Sequence, residues 1–184
     1  MSRQKILEGA ADILDSGQYS ALTVDALARS LRMSKSTLYK YFTSKEDVIV
    51  EIVREACDET DAEIERTLAG GSPSEQLEEL ALIVGRHGER LPRAVITQPE
   101  RLPLACAHRL SQTRELFAET AHALVAQGVE RSVFGHPAPR VVAVAFVASA
   151  EAVLADRARS GEAGYSDALA HLPGMFVTAL RAMA

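Results

Sequence analysis

The side chains best suited to chemistry in this sequence are hydroxyls, ammoniums and phenols crowded into one stretch, Thr23–Phe42, which reads TVDALARSLRMSKSTLYKYF. Ser36 and Lys40 stand four residues apart, so on a helix they share a face. Thr37 and Tyr41 flank that face on one side, Lys35 and Tyr39 on the other. Leu38 and Phe42, also four apart, point the opposite way, toward Val24, Leu27 and Leu31. A face of this composition carries positive charge and donates hydrogen bonds. Its chemistry is recognition of a polyanion, through phosphate oxygens and through base edges.

The charge distribution fits that partner better than the net charge does. The chain of 184 residues carries a formal net charge of −5. Residues 1–50 hold seven Lys/Arg against six Asp/Glu, whereas the remainder holds thirteen against nineteen. All four lysines fall in the first 45 positions, and Arg29 to Lys45 contains five basic residues and no acidic one. A basic stripe on an acidic protein is an electrostatic footprint for a polyanion. By charge alone it equally fits a solvated basic face.

The elements that must position these side chains are helices. No segment alternates with period two for long enough to suggest a sheet, so the fold class is all-α. Ile6, Leu7, Ala10, Ile13 and Leu14 form a helical stripe that ends near Gly17, a residue suited to a helix C-terminus. Thr23 caps a second helix, Ser34 a third, short one through Phe42, and Ser44 a long fourth that runs to about Leu68. About three residues, Leu31 to Met33, join the second helix to the third, which is helix-turn-helix spacing. The capped N-termini of these helices are phosphate sites in waiting.

Beyond Gly70-Gly71-Ser72-Pro73, helices are expected at 74–90, 101–109 and 111–128. After a break at Gly135 to Pro139, a further helix covers Arg140 to Ser160. After another at Gly161 to Gly164, a last helix covers 166–183, kinked or restarted at Pro173-Gly174.

Composition narrows the function classes. No apolar run approaches the roughly 20 residues of a membrane span, so no membrane association is expected. The charged N-terminus resembles no signal peptide. Cys57 and Cys106 form no disulfide framework, which points to a reducing, cytoplasmic setting. His87, His108, His122 and Cys106 match no zinc spacing, and no nucleophile elbow, phosphate loop or HExxH motif is present. We therefore expect no enzyme, no metal and no cofactor.

At these residues the sequence resembles the TetR family of repressors. The resemblance covers the first ~50 residues and rests on Thr23-Val24, Leu27-Ala28, Ser34-Lys35-Ser36-Thr37-Leu38-Tyr39, Tyr41-Phe42 and Ser44-Lys45-Glu46. Later helices match the family only in number and length. The resemblance implies that Thr23, Tyr39 and Lys45 contact phosphates, while Lys35, Ser36, Thr37, Lys40 and Tyr41 sit in the groove. Ser34 and Arg32 join that set, Arg32 where the family usually has glycine. If the turn needs positive φ there, a side chain costs on the order of 1 kcal/mol, offset if Arg32 also touches phosphate.

The resemblance further implies a three-helix head, residues 1–45 with its helix-turn-helix at 23–42, and a helical body, residues 46–184, that dimerises and binds a small molecule, about nine helices in all. The partners implied are double-stranded DNA with a near-palindromic operator, a second copy of the chain, and an unidentified small-molecule effector. Arg140 to Ala155 is apolar nearly all round and should be buried on every side, in part against the second subunit. The interface candidates are Val141, Val144, Ala145, Ala148, Ala152, Phe176 and Leu180, with Leu169 also on the last helix. Candidates for a pocket are Ile83, His87, Leu104, Cys106, His108, Phe117 and His122. The reading is a repressor released from DNA by its ligand; a redox switch at Cys57 or Cys106, or a DNA-binding protein that senses nothing, stays open.

Overall fold

The computed structural model describes residues 2–135, 138–160 and 165–182. Among them nine α-helices and two 3-10 turns form, and no strand. They are α1 (Arg3–Leu14), α2 (Val24–Ser30), α3 (Lys35–Leu38), α4 (Lys45–Thr67), α5 (Pro73–Arg90), α6 (Arg93–Thr97), α7 (Leu104–Glu130), α8 (Pro139–Ser160) and α9 (Tyr165–Ala182). The 3-10 turns cover Tyr19–Ala21 and Pro99–Arg101. No described helix is long and apolar enough to cross a membrane.

The chain forms two compact units, interleaved in sequence. The first comprises Met1–Cys57 with Glu89–Leu110, the second Asp58–Gly88 with Ser111–Ala184. Helices α4, α5 and α7 each contribute residues to both.

In the first unit α1 buries Ile6, Leu7, Ala10 and Leu14, the expected stripe, against Leu22, Leu27, Leu38, Phe42, Val48, Ile49 and Val53. Segment 89–110 completes this core with Leu91, Ala94, Val95 and Cys106. Sequence spacing missed α6 and expected a separate helix at 101–109. Instead Pro99 starts a 3-10 turn, and the carbonyl of Pro103 accepts the N–H groups of Cys106 and Ala107, which starts α7. From there to Ala126 no glycine or proline interrupts, so α7 runs unbroken through Leu110-Ser111.

The second unit packs Leu77, Leu80, Ile83 and Val84 of α5 with Phe117, Ala121 and Leu124 of α7 and Ala143, Phe146 and Ala150 of α8. A Cβ at Gly88 would lie 2.3 Å from Leu154 Cδ2, so that approach requires glycine. Helix α9 passes through Pro173-Gly174 without restarting. The breaks expected around His136-Pro137 and at Gly161 to Gly164 lie outside the described residues.

Candidate nucleic-acid interface

The caps read from the sequence are formed. Thr23 Oγ1 accepts the N–H of Ala26 at 3.0 Å, Ser34 Oγ that of Thr37 at 3.1 Å, and Ser44 Oγ that of Asp47 at 3.0 Å. The Asp47 carboxylate returns the bond to the Ser44 N–H and also accepts from Thr43 Oγ1. Those bonds, Thr43's foremost, hold its pKa below the usual carboxylate value. Each cap occupies one N–H of its helix end.

Helices α2 and α3 are joined by a Schellman closure. The Arg32 N–H bonds to the Arg29 carbonyl and the Met33 N–H to the Ala28 carbonyl. This geometry demands a left-handed residue after the cap, and Arg32 supplies it at φ +52°. The strain expected at this position is therefore present, on an exposed side chain.

Helix α3 is shorter than the spacing suggested. It is α-helical over Lys35–Leu38, and Lys40 and Tyr41 then bond three residues back, to Thr37 and Leu38. The tightening does not change the faces. Leu38 is wholly buried and Phe42 nearly so, while Tyr39 is 51% and Tyr41 40% exposed. Thr23, Arg32, Ser34, Lys35, Ser36 and Lys40 are also exposed, and Thr37 is half-buried. Ser34 Oγ lies 2.8 Å from both Ser36 Oγ and Thr37 Oγ1, so three hydroxyls share one network at the start of α3.

Lys45 is held rather than free. Its Nζ donates to the Leu22 carbonyl at 3.3 Å and stands 5.0 Å from the centre of the Tyr19 ring, a cation–π contact. The Tyr19 hydroxyl is pushed above its ordinary pKa by burial, then by the Glu46 carboxylate.

Sequence spacing overlooked Asp25. Asp25 of α2 precedes the acid-free run Arg29 to Lys45 in the chain, yet it is exposed and pairs with Lys35 Nζ. Ten positions separate the two in the chain, and only the packing of α2 on α3 brings them together.

The pocket candidates are split between the two units. In the second unit His87 Nδ1 lies 2.9 Å from buried Thr60 Oγ1, and its ring faces Phe117 at 6.1 Å between centroids. Ile83 is buried and borders an open polar depression of about 260 Å³ with Glu63, Glu79 and Arg86. His122 lines a different one, of about 130 Å³, with Glu115, Glu119 and Arg140. Leu104 is 85% exposed and His108 is exposed, while Cys106 fills the core of the first unit. Neither cysteine is in a disulfide, and both are buried. Burial, with Cys57 nearby, pushes the Cys106 thiol up to about 11, so its thiolate is scarce near neutrality.

Helix α8 divides by face, with all five of its interface candidates on the exposed one. Ala143, Phe146, Val147, Ala150 and Leu154 are buried, whereas Val141, Val144, Ala145, Ala148 and Ala152 form an exposed apolar stripe. Within one chain, then, α8 is buried on one side only. Met175 of α9 is also exposed, at 70%. Phe176 is half-buried, edge-on to Phe146 at 5.4 Å, and Leu180 belongs to the core. The side chain of Leu169 lies outside the described residues.

Comparison with known proteins bears on the same segment. Residues 6–52 match the family described as "Bacterial regulatory proteins, tetR family". The chain is 32% identical over 91 residues to the HTH-type transcriptional repressor KstR of Mycolicibacterium smegmatis. That match spans 49% of this chain and 45% of the repressor, less than half of either. Among solved structures, the TetR family regulator PfmR from Thermus thermophilus superimposes at a TM-score of 0.79 with 23% identity, covering 95% of this chain and 97% of that one. FadR from Bacillus subtilis, solved in complex with stearoyl-CoA, does so at 0.72 with 14% identity and full coverage of both. At these identities the structures speak to the fold.

Proposed function

We propose that the chain is a member of the TetR family of transcriptional regulators, whose family model residues 6–52 match, and that it is a repressor that holds a near-palindromic operator as a homodimer and leaves it when a small molecule binds. The division of labour follows the chain: residues 1–45 read DNA and residues 46–184 dimerise and sense. The observation that carries the reading is the two-faced α3, with Leu38 and Phe42 in the core and Ser36, Tyr39, Lys40 and Tyr41 outside. A groove-reading helix needs that division, because its inner face must fix its angle while its outer face meets bases.

Thr23, Tyr39 and Lys45 then serve as phosphate contacts, with Arg32 beside them. Ser34, Lys35, Ser36, Thr37, Lys40 and Tyr41 face the groove. The α8 stripe, with Val141 and Val144 at its exposed end, supports a two-fold contact between copies. Repression is relieved when the effector binds better to a shape in which the two heads are wrongly spaced for DNA, since a ligand with no such preference shifts nothing. FadR's stearoyl-CoA belongs to FadR; in this chain the body carries more carboxylates than cations, which favours an effector without strong negative charge. The pocket candidates that fall in the second unit are Ile83, His87, Phe117 and His122.

The test is footprinting of the purified protein on DNA upstream of its own and neighbouring genes, at two salt concentrations. A protected near-palindrome with half-sites about one helical turn or a multiple apart is the expected result. Uniform, salt-sensitive coating without a footprint would overturn sequence-specific repression.

A further inference from the structure

Gln98 lies far outside the helix-turn-helix, on the turn that closes α6, yet its side chain grips the loop between α1 and α2. The amide Nε2 donates to the Gly17 carbonyl at 2.6 Å, and Oε1 accepts the Tyr19 N–H at 3.3 Å. Next to it the Arg93 N–H donates to Asp15 Oδ1 at 2.9 Å. These bonds tie down both sides of Gly17, which sits at φ +85°. The tethered loop supplies two of the groups around the Lys45 ammonium, the Tyr19 ring and the Leu22 carbonyl; the third is the Glu46 carboxylate at 4.0 Å. All of these residues belong to the first unit.

We propose that Gln98 is a positioning residue for DNA binding: its amide clamp on Gly17 and Tyr19 fixes the loop that aims the Lys45 ammonium at a phosphate. The physical logic is pre-organisation. A lysine ammonium on a four-carbon stem samples many rotamers, and ordering one on binding opposes affinity. An aromatic face and a carbonyl, themselves fixed by a bidentate amide, settle that ordering before DNA arrives. Of the three Nζ donors one is bonded to the Leu22 carbonyl, and a phosphate competes with the Glu46 carboxylate, 4.0 Å away, for the rest. The inference rests on the proposed phosphate role of Lys45.

The experiment is a double-mutant cycle with the full chain and a duplex that the protein itself selects from a random pool, titrated at several salt concentrations. Gln98→Ala should weaken binding about fivefold, the worth of one net hydrogen bond, and lower the salt slope toward the value for Lys45→Ala, which loses about 0.9 per phosphate contact. In the Lys45→Ala background, Gln98→Ala should change nothing further. Equal losses in both backgrounds would overturn the proposal, because the clamp would then act without Lys45. Should Lys45→Ala itself leave affinity and slope untouched, the phosphate role of Lys45 fails, and the clamp's purpose with it. A second variant guards against a Gln98 variant that does not fold. Tyr19→Leu keeps bulk without the π face and should reproduce the Gln98→Ala loss. Parent-like binding by Tyr19→Leu would also overturn the proposal.

Discussion

Helices α3 and α8 show opposite surfaces to the outside. Helix α3 has four residues, is too short to be stable alone, and is held by its Ser34 cap and by Leu38 in the core beneath it. What it leaves exposed is hydroxyl, phenol and ammonium. Helix α8 has 22 residues and buries one apolar face, yet its other face is also apolar, with Val141 at 66% and Val144 at 57% exposure. The first surface is well solvated by water and, on the proposed reading, exchanges it for phosphates and base edges. The second gains nothing from water and, on the same reading, is covered by another apolar surface. The contrast teaches that the two kinds of partner can be told apart by what each helix leaves unburied.

The sharpest way to break the comparison is a charge in the α8 stripe. Val144→Glu should shift the protein from dimer to monomer, weakening self-association by ~100-fold or more, since an unpaired carboxylate would be desolvated. Analytical ultracentrifugation reads this directly, and an unchanged dimer would remove the stripe from the interface. On the α3 side, Lys40→Ala should weaken DNA binding. If Lys40 touches phosphate the salt slope falls by about 0.9, and if it reads a base the loss concentrates at one position, at ~1–3 kcal/mol. Identical titration curves for variant and parent would take Lys40 off the surface.

Smaller effects sharpen the picture. Arg32→Gly should stabilise the fold by about 1 kcal/mol by removing the left-handed strain, seen as a higher Tm, while any phosphate contact is lost. A clear fall in Tm would contradict the strain argument. Asp25→Asn should raise DNA affinity by a few-fold, because an exposed ion pair is worth only ~0.5 kcal/mol and its loss frees Lys35 from a carboxylate on the DNA-facing side. Weaker binding by the Asn variant would mean that Asp25 is needed to aim Lys35.

Much of the head was legible because its signals are local. A cap needs one hydroxyl and an N–H three residues on, so Thr23, Ser34 and Ser44 announce three helix starts. The two faces of α3 follow from four-residue spacing alone. The division into units was not legible, because residues 89–110 join the first core through Leu91, Ala94, Val95 and Cys106, across a long gap in sequence. The unbroken α7 was missed for a different reason: nothing near Leu110-Ser111 stops a helix, and only the surrounding packing decides whether it continues.

By itself, then, the sequence determined an all-helical chain, a basic helix-turn-helix surface and a place where glycine would be easier than Arg32. These depend on periodicity, capping and backbone sterics, which act within a few residues. Tertiary structure alone decided that Asp25 meets Lys35, that Gln98 grips the Gly17–Tyr19 loop, that Cys106 is buried in the first core, and which face of α8 stays bare. Each of those depends on desolvation or on contact between residues distant in the chain, and neither is encoded in local spacing.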